Sequence, residues 1–146
     1  MNLLQRSSQL NEGISEYYGY RVLVARNLAA IFHELHAAGH HMIDLEPANL
    51  HFYPATGWIA IVDTDGFSIS RPFGRNGASM VRDDYIAPAS YDRKAEKLGE
   101  PQNRFALAVI ILQTLNNGIH PFSGTSEEGF SHPSDIQTRI RKGLYA

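Results

Sequence analysis

Three polar side chains near the middle of the sequence have types and spacing that suit chemistry on a phosphate. Asp44 and Asn49 lie five residues apart in a segment that contains Pro47, and Asp63 follows after two apolar runs. Two carboxylates and a carboxamide are the oxygen ligands that Mg²⁺ prefers. A carboxylate beside a bound phosphate can also accept the proton of a hydroxyl nucleophile. The same residue types are common in turns, so the spacing alone leaves a purely structural role open.

The helix that precedes this site is the clearest element in the sequence. Apolar residues recur at i, i+3, i+4 and i+7, which predicts an amphipathic helix over residues 21–38, and Gly39 is placed to end it. Residues 1–20 give a weaker pattern, which we interpret as a leader with one short helix.

Residues 40–69 are expected to hold the catalytic loop and a metal-site hairpin. Two short runs rich in aromatic and β-branched residues, 50–53 and 58–62, flank a turn and predict a β-hairpin that ends at Asp63. Residues 66–89 have few apolar anchors and several glycines and prolines, so we expect a long functional loop there.

Two further helices are predicted towards the end of the chain. Residues 103–117 are apolar nearly all round, which is typical of a central buried helix, and Gly118 is placed to cap it. Residues 134–142 are expected to form the last helix, with Ser134 as its N-cap.

Composition excludes several classes of function. The chain has 146 residues, a net charge of −2 and no cysteine, so disulfides and thiol chemistry are excluded and neither nucleic acid nor an anionic membrane is an expected partner. Its longest apolar run, residues 105–112, is far shorter than the roughly 20 residues that a membrane span needs. A cytoplasmic protein is therefore expected.

Five segments, in order, resemble the C-terminal lobe of eukaryotic-like protein kinases. They are L-H-A-A-G at 35–39, D-L-E-P-A-N at 44–49, V-D-T-D-G-F at 62–67, I-A-P-A at 86–89, and R-F-A-L-A-V-I from 104 with Gly118 and Pro121-Phe122 after it. In that family an H-R-D-L-x-x-x-N loop, a D-F-G segment and an A-P-E segment occupy these places. The variants here are similar to a divergent bacterial group of kinase-like domains.

The resemblance implies a fold, a reaction and a role for each site residue. The fold would be α+β, a mainly helical kinase-like C-lobe with a small β-hairpin and without the N-lobe. Asp44 would accept the proton of a serine or threonine hydroxyl of a protein substrate, and Asn49 and Asp63 would hold the Mg²⁺ of ATP. The alternative is a pseudokinase scaffold that binds a protein partner without catalysis.

Several positions depart from the family pattern. Ile43 replaces the arginine that pairs with an activation-loop phosphate, so we do not expect this loop to be a phosphorylation switch. Glu46 replaces a lysine near the transferred phosphate, where a carboxylate is repulsive unless a metal or cation intervenes. Either Glu46 turns away, or the site does not stabilise phosphoryl transfer well. Thr64 and Asp65 replace the Phe and Gly of D-F-G, and Asn103 replaces an aspartate that braces the catalytic loop. Asn103 can still accept a hydrogen bond, but without the assistance of a charge.

The sequence contains no glycine-rich loop and no strand lysine ahead of the first helix. We therefore expect weak or absent ATP binding by this chain alone. We also expect apolar surface near Leu50, Phe52 and Ile61 to be exposed and to promote self-association.

Two clusters of basic residues admit other interpretations. Four histidines lie within nine residues: His33, His36, His40 and His41. Their spacing does not match H-E-x-x-H, so a structural or solvent-facing role is favoured over a zinc site. The predicted loop contains Arg71, Arg75 and Arg82. These arginines are either solvated or contact an acidic partner.

Overall fold

Helices and small antiparallel sheets make up residues 17–124 and 133–145, the part of the chain that the computed structural model describes. The helices are α1 (Tyr18–Ala37), α2 (Glu100–Leu115) and α3 (Ile136–Lys142). The strands are β1 (His41–Met42), β2 (Leu50–Tyr53), β3 (Trp58–Ile61), β4 (Phe67–Arg71) and β5 (Gly74–Asn76). The expected α+β class is confirmed. Of the leader expected over residues 1–20, residues 1–16 lie outside the described part of the chain.

Helix α1 buries one face against the rest of the molecule. Val24, Leu28 and Phe32 recur at helical spacing and are buried, whereas the exposed positions carry both polar residues and the apolar Val22 and Leu23. The helix begins at Tyr18, three residues before the predicted start at 21. Gly39 follows it with φ +75°, a conformation that favours glycine, and its N–H donates to the carbonyl of His36.

The predicted β-hairpin is present as β2 and β3. The strands pair in register from Leu50 with Ile61 to Tyr53 with Trp58. Leu50 and Phe52 face the main core and are buried, whereas Tyr53 and Trp58 face outward and are exposed. The expectation of an exposed apolar patch is therefore wrong for Leu50 and Phe52, because the alternation of the strand turns both side chains towards α1 and α2.

A second sheet, which the sequence pattern did not predict, lies within residues 41–76. Its strand order is β1-β4-β5, and β4 pairs with both neighbours in antiparallel fashion. The prediction of a long loop over residues 66–89 is thus wrong for its first part. The remainder of that stretch is irregular apart from short 3₁₀ turns at Asp83–Tyr85 and Pro88–Ser90. Strand β5 has only three residues, all exposed and none of them β-branched or aromatic, so it gives no periodic signal.

Helix α2 is central but is not buried on every face. It begins at Glu100 rather than Asn103, with Pro101 in its first turn, a position that suits proline. Its buried side combines apolar and polar side chains, and Leu112 is 42% exposed. The buried set is Gln102, Asn103, Ala106, Val109, Ile110, Gln113 and Thr114. The side chains of Gln102, Asn103 and Gln113 bond to other segments, whereas Thr114 bonds to Ile110 within the helix.

Helix α3 begins at Ile136, two residues after the predicted start at Ser134. Its N-cap is Asp135, whose carboxylate accepts from the N–H of Thr138 at 2.7 Å, and the predicted cap Ser134 lies outside the helix. In the described residues, no helix combines the length and apolar character needed to cross a membrane.

Candidate active site

Asp44 lies in the loop between β1 and the short 3₁₀ turn Pro47–Asn49. It is only 3% exposed, and within the described residues its Oδ1 atom is buried without a hydrogen-bond partner. Burial raises the pKa of this carboxyl above its usual range, the backbone and charge of Arg82 oppose the rise, and the charge of Asp63 adds to it. Burying a carboxylate with an unused oxygen lowers the stability of the folded protein. Its presence here therefore calls for an explanation, and a functional role is one.

Asn49 is fixed between this loop and the β2–β3 hairpin. Its side-chain Nδ2 donates to the carbonyl oxygen of Asp44 at 3.1 Å. Its own carbonyl accepts from the N–H of Val62 at 2.9 Å. A carboxamide binds a metal ion through its oxygen, so the side-chain oxygen is the atom of Asn49 that a metal ion would bind.

Asp63 occupies a strained backbone position directly after β3. Its φ and ψ are 63° and 82°, in the left-handed region that a non-glycine residue adopts at a cost of about 1–3 kcal/mol. Its side chain accepts from the N–H of Asp65 at 3.4 Å and caps the 3₁₀ turn Thr64–Gly66. The carboxylate is exposed. Such strain clusters at functional sites.

The carbonyl of Gly66 joins the segment of Asp63 to the loop of Asp44. It accepts from the N–H of Ile43 at 2.8 Å and from the N–H of Asp44 at 3.3 Å. A Cβ atom added at Gly66 would lie 2.9 Å from the Cβ of Asp44, so only glycine allows this approach. The structure thereby brings all three residues that the sequence singles out to the same end of the β2–β3 hairpin.

Arg82 is a member of the site that sequence reasoning did not assign. Its Nη2 lies 3.1 Å from Oε1 of Glu46, and 59% of its side chain is exposed, compared with 16% for Glu46. Burial raises the pKa of Glu46, the charge of Arg82 opposes the rise, and the charges of Asp44 and Asp63 add to it. Glu46 is therefore paired with a cation, which reduces the repulsion that its carboxylate would exert on a phosphate. A loop arginine in a predicted irregular segment gives no spacing signal that would reveal this contact.

Asn103 braces the strand that precedes the site. Its Oδ1 atom accepts from the N–H of Met42 at 3.1 Å and bonds to Nε2 of His36 at 2.8 Å. The expectation that this asparagine still accepts a hydrogen bond is confirmed. Its Nδ2 atom is buried and has no partner among the described residues, where an aspartate would instead place a second acceptor.

Ile43 holds the following loop by apolar contact rather than by charge. It is fully buried in a small cluster with Ala78 and Leu98, against which Val81 packs. Close approach of the backbone supports the same arrangement, since a Cβ atom at Gly77 would lie 2.5 Å from the carbonyl oxygen of Glu96. Residues 77–98 are thus anchored by apolar contact with Ile43 and by the close approach of their own backbone.

Two of the three loop arginines have partners within the described residues. Arg75 bonds to Gly39 and Ser68, and Arg82 pairs with Glu46, whereas Arg71 is exposed. In residues 17–124 and 133–145, no group of three or more His, Cys, Asp or Glu side chains is placed to hold a metal ion together. The set of Asp44, Asp63 and Asn49 is not such a group, because only two of its three members are among those four residue types.

No protein-family model matches this sequence, and no curated protein is significantly similar to it. The arrangement must therefore be judged by its chemistry. It places a buried carboxylate with one unused oxygen, a fixed carboxamide and an exposed carboxylate at one end of a hairpin, with a single arginine paired beside them. These groups can bind a hard divalent cation and can accept a proton.

Proposed function

We propose that this chain is the C-lobe segment of a protein-kinase-like domain that, in the complete protein, transfers a phosphoryl group from Mg·ATP to a serine or threonine hydroxyl. The observation that carries the proposal is the clamp at Gly66, whose carbonyl accepts from the backbone N–H groups of Ile43 and Asp44. This clamp joins the segment after Asp63 to the loop of Asp44, as phosphoryl transfer between a metal-bound phosphate and a nearby hydroxyl requires.

Each residue then has one role. Asp44 accepts the proton of the attacking hydroxyl, and its unpartnered Oδ1 atom is free of competing hydrogen bonds from the described residues. Asn49 and Asp63 hold Mg²⁺ through oxygen atoms, which the donor set fits. When bound, Mg²⁺ supplies positive charge that neutralises the phosphate oxygens.

The proposal is tested by the position of a bound divalent ion. Paramagnetic Mn²⁺ with ADP is titrated into the ¹⁵N-labelled full chain, and amide signals are followed by NMR, a readout that also reports weak binding. We expect the signals of Asp44, Asn49 and Asp63 to broaden first, and Asp63→Asn to weaken the effect about tenfold. The matched control is Asp92→Asn, which changes an exposed aspartate elsewhere. Uniform broadening, or equal broadening in Asp63→Asn and the wild type, contradicts the proposal.

A second candidate function is a scaffold that binds a protein partner without catalysis. The burial of Asp44 favours it, because a general base must be reached by its substrate and this carboxyl is only 3% exposed. The outward face of β2–β3 offers a contact surface, with Tyr53 54% and Trp58 75% exposed. Absence of localised Mn²⁺ broadening, together with self-association that Trp58→Ser abolishes in sedimentation velocity, would favour the scaffold.

A further inference from the structure

The β4–β5 hairpin is attached to β1 through ring nitrogens of two adjacent histidines. The backbone N–H of Ser70 donates to Nδ1 of His40 at 3.3 Å. Nη1 of Arg75 lies 3.1 Å from Nδ1 of His41. The backbone ladder between β1 and β4 contains only two residue pairs, so these side-chain bonds form a large part of the attachment.

The partners fix which nitrogen of each ring carries the proton. A backbone N–H and a guanidinium can only donate, so Nδ1 of His40 and Nδ1 of His41 must both be unprotonated acceptors. The ring of His41 is therefore neutral while the hairpin is attached. Protonation of His41 would turn its Nδ1 atom from an acceptor into a donor that faces the guanidinium of Arg75.

Arg75 connects this protonation state to a wider set of contacts. Besides His41, its Nη1 donates to the carbonyl of Ser68 at 3.0 Å and to the hydroxyl of Ser68 at 3.1 Å. Its Nη2 donates to the carbonyl of Gly39 at 2.8 Å. A positive charge on His41 would oppose the guanidinium that makes all these bonds.

The groups around His41 oppose its protonation on balance. Its ring is buried, Arg75 faces it from β5 and His36 from α1, and His40 is its neighbour in the chain. Glu100 is the acidic group that faces it from α2, with Oε2 3.9 Å from Nε2 of His41. Burial first, and then the charge of Arg75, lower the pKa of His41 below its usual value of 6.5, and Glu100 only partly offsets them.

We propose that the β4–β5 hairpin is a pH-sensitive element, held in place while His41 is neutral and released from β1 when the medium becomes mildly acidic. The hairpin suits this role because β5 has only three residues, is exposed and lies at the edge of its sheet.

Release of the hairpin would reach the candidate active site through the backbone. Strand β4 begins directly after Gly66, whose carbonyl accepts from Ile43 and Asp44, and β1 ends directly before Ile43. Mild acid is therefore expected to loosen the clamp between the segments of Asp63 and Asp44. The release itself does not depend on the proposed phosphoryl transfer.

Amide hydrogen exchange of the full chain, corrected for the intrinsic effect of pH, tests the proposal. Between about pH 7.5 and about pH 5.5, we expect the protection of Ser70 to fall about tenfold. The amides of β2 and β3 act as the internal reference, and their protection should change much less. In the double variant His40→Asn and His41→Asn the protection of Ser70 should not depend on pH, because an amide oxygen accepts the same bonds and does not titrate. The control is His33→Asn, since His33 is exposed on α1.

Equal loss of protection in both hairpins, or an unchanged pH dependence in the double variant, would overturn the proposal. If the double variant does not fold, long-range ¹H–¹⁵N correlation spectra of the wild type decide the question. We expect His41 to be the neutral form with its proton on Nε2 at neutral pH. A proton on Nδ1 at neutral pH would overturn the proposal. If the wild type shows no localised Mn²⁺–ADP binding at neutral pH, that result counts against the proposed function and leaves the pH-sensitive hairpin untouched.

Discussion

The side-chain oxygen of Asn103 accepts a hydrogen bond from the backbone N–H of Met42 at 3.1 Å, which ties α2 to the strand directly before Asp44. The same oxygen bonds to Nε2 of His36 in α1. One buried carboxamide thus joins both long helices to the candidate active site. These two hydrogen bonds explain why a polar residue, Asn103, lies in the buried face of α2.

Replacement of Asn103 by alanine should destabilise the protein substantially. The change leaves the N–H of Met42 and the ring N–H of His36 without their acceptor, and each buried unsatisfied donor costs about 1–3 kcal/mol. We expect the free energy of unfolding in urea to fall by about 2 kcal/mol or more. Asn116→Ala, at an exposed position just after α2, is the matched control and should change it little. Equal effects of the two substitutions would exclude the bracing role.

Ile43 should be needed for the order of the loop that follows the second sheet. Ile43→Ala removes atoms from the buried contact with Ala78 and Leu98 and should cost about 2–5 kcal/mol, whereas Ile43→Val should cost about 0.5–1.5 kcal/mol. Limited proteolysis should then cut residues 77–98 faster in Ile43→Ala than in Val22→Ala, which changes an exposed side chain. Cleavage elsewhere with no change in this loop would contradict the assignment.

Much of the fold follows from short-range pattern, and the exceptions have physical causes. The periodicity of α1 and the paired runs of β2 and β3 come from side chains that face one core, so the sequence predicts them well. Strand β5 is held by the guanidinium of Arg75 and by pairing with β4, which are contacts between residues far apart in the chain. The predicted start of α2 at Asn103 is three residues late, because Gln102 in the missed turn is polar yet buried, which an apolar pattern does not register.

Gly66→Ala should disturb the site through a single close contact. The added methyl group would lie 2.9 Å from the Cβ atom of Asp44, which cannot move without shifting its backbone. We expect a loss of about 1–3 kcal/mol in the free energy of unfolding and a large change in the amide chemical shift of Asp44. Gly99→Ala is the control for the contact alone, because no atom beyond its chain neighbours lies within 4 Å of a Cβ there, and the change replaces only the N-cap of α2. If Gly66→Ala is as well tolerated as Gly99→Ala, the clamp is looser than the geometry indicates.

The sequence places the candidate residues near one hairpin but does not predict their electrostatics. The spacing of Asp44, Asn49 and Asp63 by itself leaves a structural role open, and the resemblance to the kinase C-lobe is what singles them out. The pairing of Glu46 with Arg82 joins positions 36 residues apart, with the second sheet between them in the chain. Single-sequence patterns report neighbours along a helix or strand, so a contact of this kind is outside their reach.

Asp44→Asn should make the protein more stable at neutral pH while it removes the proposed base. In the folded state the pKa of Asp44 is raised, chiefly by burial, above its usual value of 3.8. The folded state therefore holds this proton more tightly than the unfolded state, and stability falls as pH rises from 3.8 through the folded pKa. Above that window the carboxylate is charged, and the cost of burying it remains in full.

An asparagine at position 44 does not titrate, so this cost disappears from the variant. Thermal unfolding across pH should show Asp44→Asn with a higher Tm than the wild type at about pH 7, and the difference should shrink as pH falls below 3.8, where both side chains are neutral. Asp92→Asn, at an exposed position, should follow the wild type throughout. A variant that is less stable than the wild type at neutral pH would mean that the ionised carboxylate contributes favourable contacts, and the unused Oδ1 atom would then need another explanation. A gain in stability on loss of the base is the expected mark of a residue that is kept for chemistry rather than for folding.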